Sequence, residues 1–267
     1  MPVHRVPSPV NEARVPSARH DDPTAGGAAI ERPLLSIIVP VFNEAATVAQ
    51  VIDRLLVIEL PLEREIIVVD DGSTDGTREA LAQYADRPRM RLLRSDRNGG
   101  KGHAVRTGLA AARGTIVAIQ DADLELDPSE LAALTMPILR GDRGVVYGSR
   151  FLAGRPQAPW LTIAANRLLT DLTNVLYGSS LTDMETCYKV MRSDIARSLS
   201  LESNGFDIEP EITAKVLRGG HSILELPVRF EARARSAGKK IGWRDGWRAI
   251  QVLILHRVTR RSPDRSR

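Results

Sequence analysis

The sequence predicts an α/β protein with one mostly parallel sheet flanked by helices, and three observations carry that prediction. Short, apolar, β-branched runs recur along the chain. Segments with helical spacing lie between them, and polar clusters rich in Gly and Asp gather where the runs end. Runs this short and this apolar suit strands buried on both faces of a parallel sheet, and strand–helix alternation implies right-handed crossovers.

The strand candidates, in order, are "LSIIVPV", "EIIVVD", "MRLLRS", "TIVAIQD", "GVVYGS" and "SILELPV". Val48, Val51, Ile52 and Leu55 give one apolar helix face, Ala104, Leu109 and Ala112 a second after Lys101, and another helix is expected near Pro128. Towards the C-terminus Trp243, Trp247, Ile250 and Ile254 recur at helical spacing beside Arg244 and Arg248, which predicts an amphipathic helix over 242–258. Residues 1–33 hold six of the sixteen prolines and few apolar clusters, so they read as a disordered leader. The domain is expected over 34–241 and a basic tail over 259–267.

At 267 residues and 43% hydrophobic, the chain suits one large domain with extensions. A net charge of +4 and a pI near 9.5 fit an anionic partner such as a phosphate or lipid headgroup. Aromatic residues are only 4% and cluster C-terminally, so a nucleic-acid stacking groove is not expected. The single cysteine, Cys187, excludes an internal disulfide framework and a cysteine zinc cluster, and sets a cytoplasmic prior. No run approaches the roughly 18 apolar residues of a membrane span.

The clusters carry the chemistry. "VVDDGSTDGT" follows the second strand, "DRNGGKGHA" the third and "QDADLELD" the fourth. In an open parallel sheet, ligands bind outside the carboxyl ends of the strands, so three polar clusters there line one crevice. Asp121 and Asp123 are oxygen donors at a strand end and suit Mg²⁺ or Mn²⁺, which substrate phosphates complete. Asp71 is placed to take hydrogen bonds from a base or ribose, whereas Asp75 is placed to N-cap the next helix. "NGGKGHAVRTG" resembles an anion-binding loop before a helix, with Lys101 among the glycines. It is not a P-loop, and no G-x-G-x-x-G follows the first strand. His103 reads as a helix-surface residue.

Taken in order, "VPVFNE", "VDDGSTDGT", "NGGKGHAVRTG", "DADLELDP" and "GSR" resemble the inverting, nucleotide-sugar-dependent glycosyltransferases of family 2, which have the GT-A (Rossmann-like) fold. "DMETCYKVMR", "GFDIEPEITAKVLRGG" and "ELPVRFEARARSAGKKIGWRDGWRA" are similar to the branch of dolichyl- and polyprenyl-phosphate mannosyl- and glucosyltransferases. The likeness covers about residues 34–257. It implies Pro40, Phe42, Glu44, Asp71, Lys101 and Asp121 for the nucleotide, with Phe42 where Tyr is common. It implies Asp121, Asp123 and Glu125 for a Mg²⁺ or Mn²⁺ ion, with Asp123 the main ligand and Glu125 where Gln is common. Asp183 is the position that serves as a base or orients the acceptor, and Asp123, Asp183 and Arg150 form the catalytic set.

A phosphate acceptor is already ionised and needs cations rather than a base; Arg150, Arg167, Arg233 and Lys239 can supply them. The expected partners are a GDP- or UDP-hexose and a polyprenyl phosphate, with association at the cytoplasmic membrane face. Two rival readings are the same catalyst acting on a soluble hydroxyl and a non-catalytic nucleotide-binding protein.

Overall fold

The computed structural model describes residues 33–231 and 243–259. The leader except Pro33, the basic tail except Thr259, and Arg233 and Lys239 lie outside the described residues. Seven strands form one sheet in the order β3-β2-β1-β4-β6-β5-β7. They are β1 (Leu34–Val41), β2 (Glu63–Asp70), β3 (Met90–Arg94), β4 (Ile116–Ile119), β5 (Val145–Ser149), β6 (Lys189–Arg192) and β7 (Ile223–Pro227). β1 pairs in parallel with β2 and β4, β2 with β3, and β5 with β7; β6 alone is antiparallel, to both β4 and β5.

The helices are α1 (Val48–Val57), α2 (Thr77–Ala82), α3 (Lys101–Ala111), α4 (Leu131–Leu139), α5 (Trp160–Tyr177), α6 (Ser193–Ser198), α7 (Ile208–Arg218) and α8 (Trp243–Val258). All six apolar runs became strands. Alternating side chains of β1 serve both faces of the sheet: Ile37 and Val39 pack with Val51 and Ile52 of α1, while Ile38 packs with Ile67, Val69 and Ala104 of α3. A third cluster joins Leu169 of α5, Ala214 of α7 and Ala249 and Leu253 of α8.

Two elements differ from expectation. β6 was missed because "KVMR" is short and opens on Lys189, a fully buried lysine that interrupts the apolar pattern. On α8 the predicted apolar stripe is split: Trp247 and Ile254 are exposed while Ile250 packs in part, and the helix docks through Ala249 and Leu253. No helix among the described residues is long and apolar enough to cross a membrane.

The chain order β3-β2-β1-β4 leaves the sheet's topological switch between β1 and β4. Loops leaving β1, β2, β3 and β4 therefore converge at one edge. Gly72, at φ +76°, lets two of them touch, since a Cβ there would lie 2.6 Å from the Arg97 carbonyl carbon.

Candidate active site

Hydrogen bonds between loops build the crevice. Asn43, at φ +55°, follows β1; its N–H donates to Ser73 Oγ at 3.0 Å, and its side-chain oxygen accepts from Thr74 N at 2.8 Å. Glu44 N donates to Thr77 Oγ1 at 2.9 Å, and Thr47 Oγ1 donates to Glu44 Oε2 and to the Ala122 carbonyl. Pro40 near the end of β1, and Phe42 and Glu44 on the loop fixed to the ends of β2 and β4, are partly exposed. Asp75 accepts from Thr77 N and Thr77 Oγ1, but the capping position of α2 is Gly76, so the expected cap lies one residue off.

Asp71 is buried at the end of β2, where its Oδ2 accepts from Gly99 N at 2.9 Å and Gly100 N at 2.6 Å. Its Oδ1 is buried without a hydrogen-bond partner, and His103 Nε2 lies 3.9 Å away. A buried, unsatisfied carboxylate oxygen is costly unless a ligand completes it.

The glycine loop departs from its expected role. Beyond the two N–H groups given to Asp71, Gly102 N donates to the Gly205 carbonyl and His103 N to the Asn204 carbonyl. The chain at 203–205 comes so close that a Cβ on Gly102 would lie 2.2 Å from the Ser203 carbonyl oxygen. Gly102 thus admits protein backbone, and of the four N–H donors two go to the Asp71 carboxylate and two to the 204–205 carbonyls.

Lys101, the first residue of α3, points its ammonium between three oxygens: Asp121 Oδ1 at 2.9 Å, Asp121 Oδ2 at 3.0 Å and Glu209 Oε1 at 2.8 Å. Glu209 of α7 also pairs with Lys189 at 2.5 Å, and Lys189 further donates to the Met184 and Thr186 carbonyls. Burial alone would lower the Lys101 pKa, but Asp121 and Glu209 hold it well above the ordinary lysine value. Glu209 shifts down for the matching reason: its burial is outweighed by Lys101 and Lys189.

Asp123 accepts from Glu125 N at 3.2 Å across a turn in which Leu124 takes φ +62°. The expected metal trio is not gathered. Asp121 is turned to Lys101, and no group of three carboxylate, imidazole or thiol side chains able to hold one ion occurs among the described residues. The acidic loop also meets the chain after β7, where Phe230 pairs with Leu126 and Glu231 N donates to the Glu125 carbonyl.

On the other side of β4, Arg150 follows β5. Its Nε and Nη2 donate to Asp183 Oδ2 and Oδ1, both at 2.7 Å, and its backbone N donates to Oδ2 at 2.9 Å. Asp183 is fully buried, and Glu225 fixes its backbone N–H at 2.9 Å. Both Asp183 oxygens are thus paired with Arg150, whose guanidinium they hold in a fixed orientation. Arg150 stacks over Phe230 at 5.3 Å, and Arg167, exposed on α5, stacks over Phe151 at 5.0 Å.

Three residues of this region escaped the sequence reading: Lys189, Glu209 and Glu185. The signal was a charge set inside apolar neighbours in "ETCYKV" and "GFDIEPEI". Glu185 Oε1 is buried without a partner. Its pKa is pushed up to about 7 by burial, with Lys189 and Arg150 opposing and Glu209 and Asp183 adding to the rise. Burial raises the Cys187 thiol well above its ordinary value.

A mostly parallel sheet with charged side chains converging at its switch point defines an α/β protein whose ligand crevice is expected at the strand ends. The chain belongs to Glycosyl transferase family 2, whose sequence model matches residues 36–200. It is 30% identical to a dodecaprenyl-phosphate galacturonate synthase from Rhizobium johnstonii over 77% of this chain and 61% of that protein. It is also 30% identical to an undecaprenyl-phosphate mannosyltransferase from Micrococcus luteus, over 80% of this chain and 90% of that one. The chain thus spans less than two thirds of the Rhizobium relative and nine tenths of the Micrococcus one. Among solved structures, glucosyl-3-phosphoglycerate synthase from Mycobacterium tuberculosis with Mn²⁺, UDP and phosphoglyceric acid has the same fold. Its TM-score is 0.65 at 20% identity, covering 87% of this chain and 81% of that one.

Proposed function

We propose that this protein transfers a hexose, mannose or glucose, from a GDP- or UDP-sugar to a polyprenyl phosphate with inversion at the anomeric carbon. The observation that carries the acceptor is the Arg150–Asp183 pair. A hydroxyl acceptor needs a base. Here the carboxylate in the base position is fully engaged in aiming a guanidinium, which suits an acceptor already carrying negative charge. The relatives named for polyprenyl-phosphate substrates support the same reading.

On the donor side, the partnerless oxygen of Asp71 takes an N–H or hydroxyl of the nucleoside, beside Pro40, Phe42 and Glu44. Lys101, kept charged by Asp121 and Glu209, stabilises the charge that develops on the departing diphosphate. The oxygen-only donor set after β4 suits a hard cation, which Asp123 would chiefly hold, with Glu125 beside it. When bound, Mg²⁺ or Mn²⁺ supplies further charge stabilisation to the leaving group. Arg150 holds the acceptor phosphate, with Arg167 a second cation near it.

One observation favours a second reading. Glu185 is a carboxyl beside Arg150 and Asp183 with a free buried oxygen and a pKa near neutrality, so a soluble hydroxyl acceptor would find its base there. A donor screen with Mg²⁺ or Mn²⁺, with and without a short polyprenyl phosphate, tests both. Lipid-phosphate-dependent release of one nucleoside diphosphate, together with labelled lipid product, is the expected result. Turnover that ignores the lipid and vanishes in Glu185→Gln would establish the second reading instead.

A further inference from the structure

Cations gather on the side of α3 that faces away from Lys101. Successive helical residues are about 100° apart, so His103 stands nearly opposite Lys101, and Arg106, three residues further on, shares the His103 face. Lys101 is spent on Asp121 and Glu209. His103 and Arg106 instead line a cleft of about 700 Å³, together with Arg94, Arg97 and Gly99 after β3 and Asn204 before α7. None of Pro40, Phe42, Asp71, Lys101 or Asp121 lines it.

Four side chains around this opening are basic, and Asp96 is the one acid. Elsewhere in the fold guanidinium groups meet carboxylates: Arg78 pairs with Asp70, Arg150 with Asp183 and Arg192 with Asp194. Arg94, Arg97 and Arg106 pair with no acid among the described residues. Arg106 is held in place, with Nη2 donating to Asn204 Oδ1 at 2.7 Å and Nη1 to the Leu201 carbonyl at 3.5 Å. Its Nε is nevertheless buried with no partner. A solvated run of arginines carries no such cost, whereas a spare buried donor at the wall of a cleft of one sign is completed by an anion. Guanidinium pairs bidentately with phosphate oxygens, and a cleft of this size takes a ligand larger than a lone ion.

One wall of the cleft is shared with Asp71. His103 Nε2 lies 3.3 Å from Ser95 Oγ and 3.9 Å from Asp71 Oδ1. Gly99 rests on the His103 ring, where an added Cβ would come within 2.6 Å, and its N–H donates to Asp71 Oδ2. An anion drawing Arg94 and Arg97 together therefore fixes the loop that holds Asp71.

We propose that this cleft is a second site, which binds a phosphate-bearing small molecule, and that its occupancy tightens donor binding by fixing the loop behind Asp71. The second half rests on the reading of Asp71 as a nucleoside contact; the first does not. Pyrophosphate is the probe, titrated by calorimetry into the full chain and into Arg94→Gln/Arg97→Gln, at one salt concentration and without divalent cations. Both arginines are exposed; should the double variant lose its thermal transition, Arg97→Gln alone takes its place. UDP and GDP are then titrated into both proteins, with and without saturating pyrophosphate.

The parent should take up pyrophosphate at one site, and the variant should bind it at least ~10-fold more weakly. Saturating pyrophosphate should tighten nucleotide binding by the parent ~5-fold and leave that of the variant unchanged. A variant that binds pyrophosphate like its parent overturns the site. So does pyrophosphate binding that the nucleotide abolishes, which would put both ligands at Lys101. Nucleotide affinity that ignores bound pyrophosphate removes the coupling and leaves the site standing. If neither nucleotide binds, the donor reading falls, and the pyrophosphate titration still decides the cleft.

Discussion

Single side chains here have environments that make opposite predictions for chemically similar groups. Asp183 and Glu185 are two residues apart, yet one carboxylate is saturated by Arg150 and the other has a buried oxygen with no partner. Asp183→Asn should raise the acceptor KM and lower kcat/KM by ~10-fold or more, because an amide cannot hold the guanidinium bidentately. Donor binding measured by calorimetry should not move; a variant that loses donor binding instead would rule out the orienting role. Glu185 is best read through stability. Its folded-state pKa is raised from 4.5 to about 7, so the folded protein holds that proton more tightly than the unfolded chain. Stability should therefore fall as pH rises through that window and stay lower above it. In Glu185→Gln that part of the slope should disappear, leaving the variant more stable than its parent at pH 8 by urea titration and equal to it near pH 4. A parallel pair of curves would show that Glu185 is not the group responsible.

Packing decides what the elements do, and here the sequence was legible only in part. The six apolar runs declared their strands because a strand buried on both faces needs no partner to be recognised. β6 could not be read that way, since Lys189 is tolerated only because Glu209, two carbonyls and the Tyr147 ring, 4.9 Å away, receive it. The crevice was legible as a set of strand ends, so Lys101, Asp121, Asp71, Arg150 and Asp183 were all singled out. Their pairings were not, because each depends on a residue distant in sequence. The glycines before α3 show the limit most clearly. "NGGKG" suggests an anion loop, yet Gly102 is small because the 203–205 segment lies against it. Gly102→Ala should therefore cost ~1–3 kcal/mol through overpacking against a carbonyl that cannot withdraw. Because Lys101 adjoins it, nucleoside diphosphate binding should weaken too. Unchanged denaturation midpoints would mean the 203–205 segment yields easily.

Across the whole molecule, one line of buried and half-buried charge ties the sheet to its helices. Asp121 after β4, Lys101 of α3, Glu209 of α7 and Lys189 of β6 form a continuous chain, with Glu209 shared between two lysines. Such a network adds less to net stability than it would cost if broken, because desolvation offsets most of the Coulomb attraction, whereas an abandoned buried charge has nothing to offset it. The asymmetry gives a test that separates structure from chemistry. Glu209→Gln leaves two buried ammonium groups short of a counter-charge, and should destabilise the protein by ~3–5 kcal/mol. Adding Lys189→Met should recover a large part of that loss, since the replacement fills similar volume without charge and leaves Lys101 paired to Asp121. The two changes should therefore be strongly non-additive in urea denaturation. Activity should follow a different pattern. Lys101 keeps its charge only if a carboxylate stays beside it, so Asp121→Asn in the Glu209→Gln background should abolish nucleoside diphosphate release, whereas the Lys189→Met/Glu209→Gln protein should retain part of it. Additive stabilities, or full activity with Lys101 stripped of both acids, would mean that the chain of charge serves neither the fold nor the leaving group.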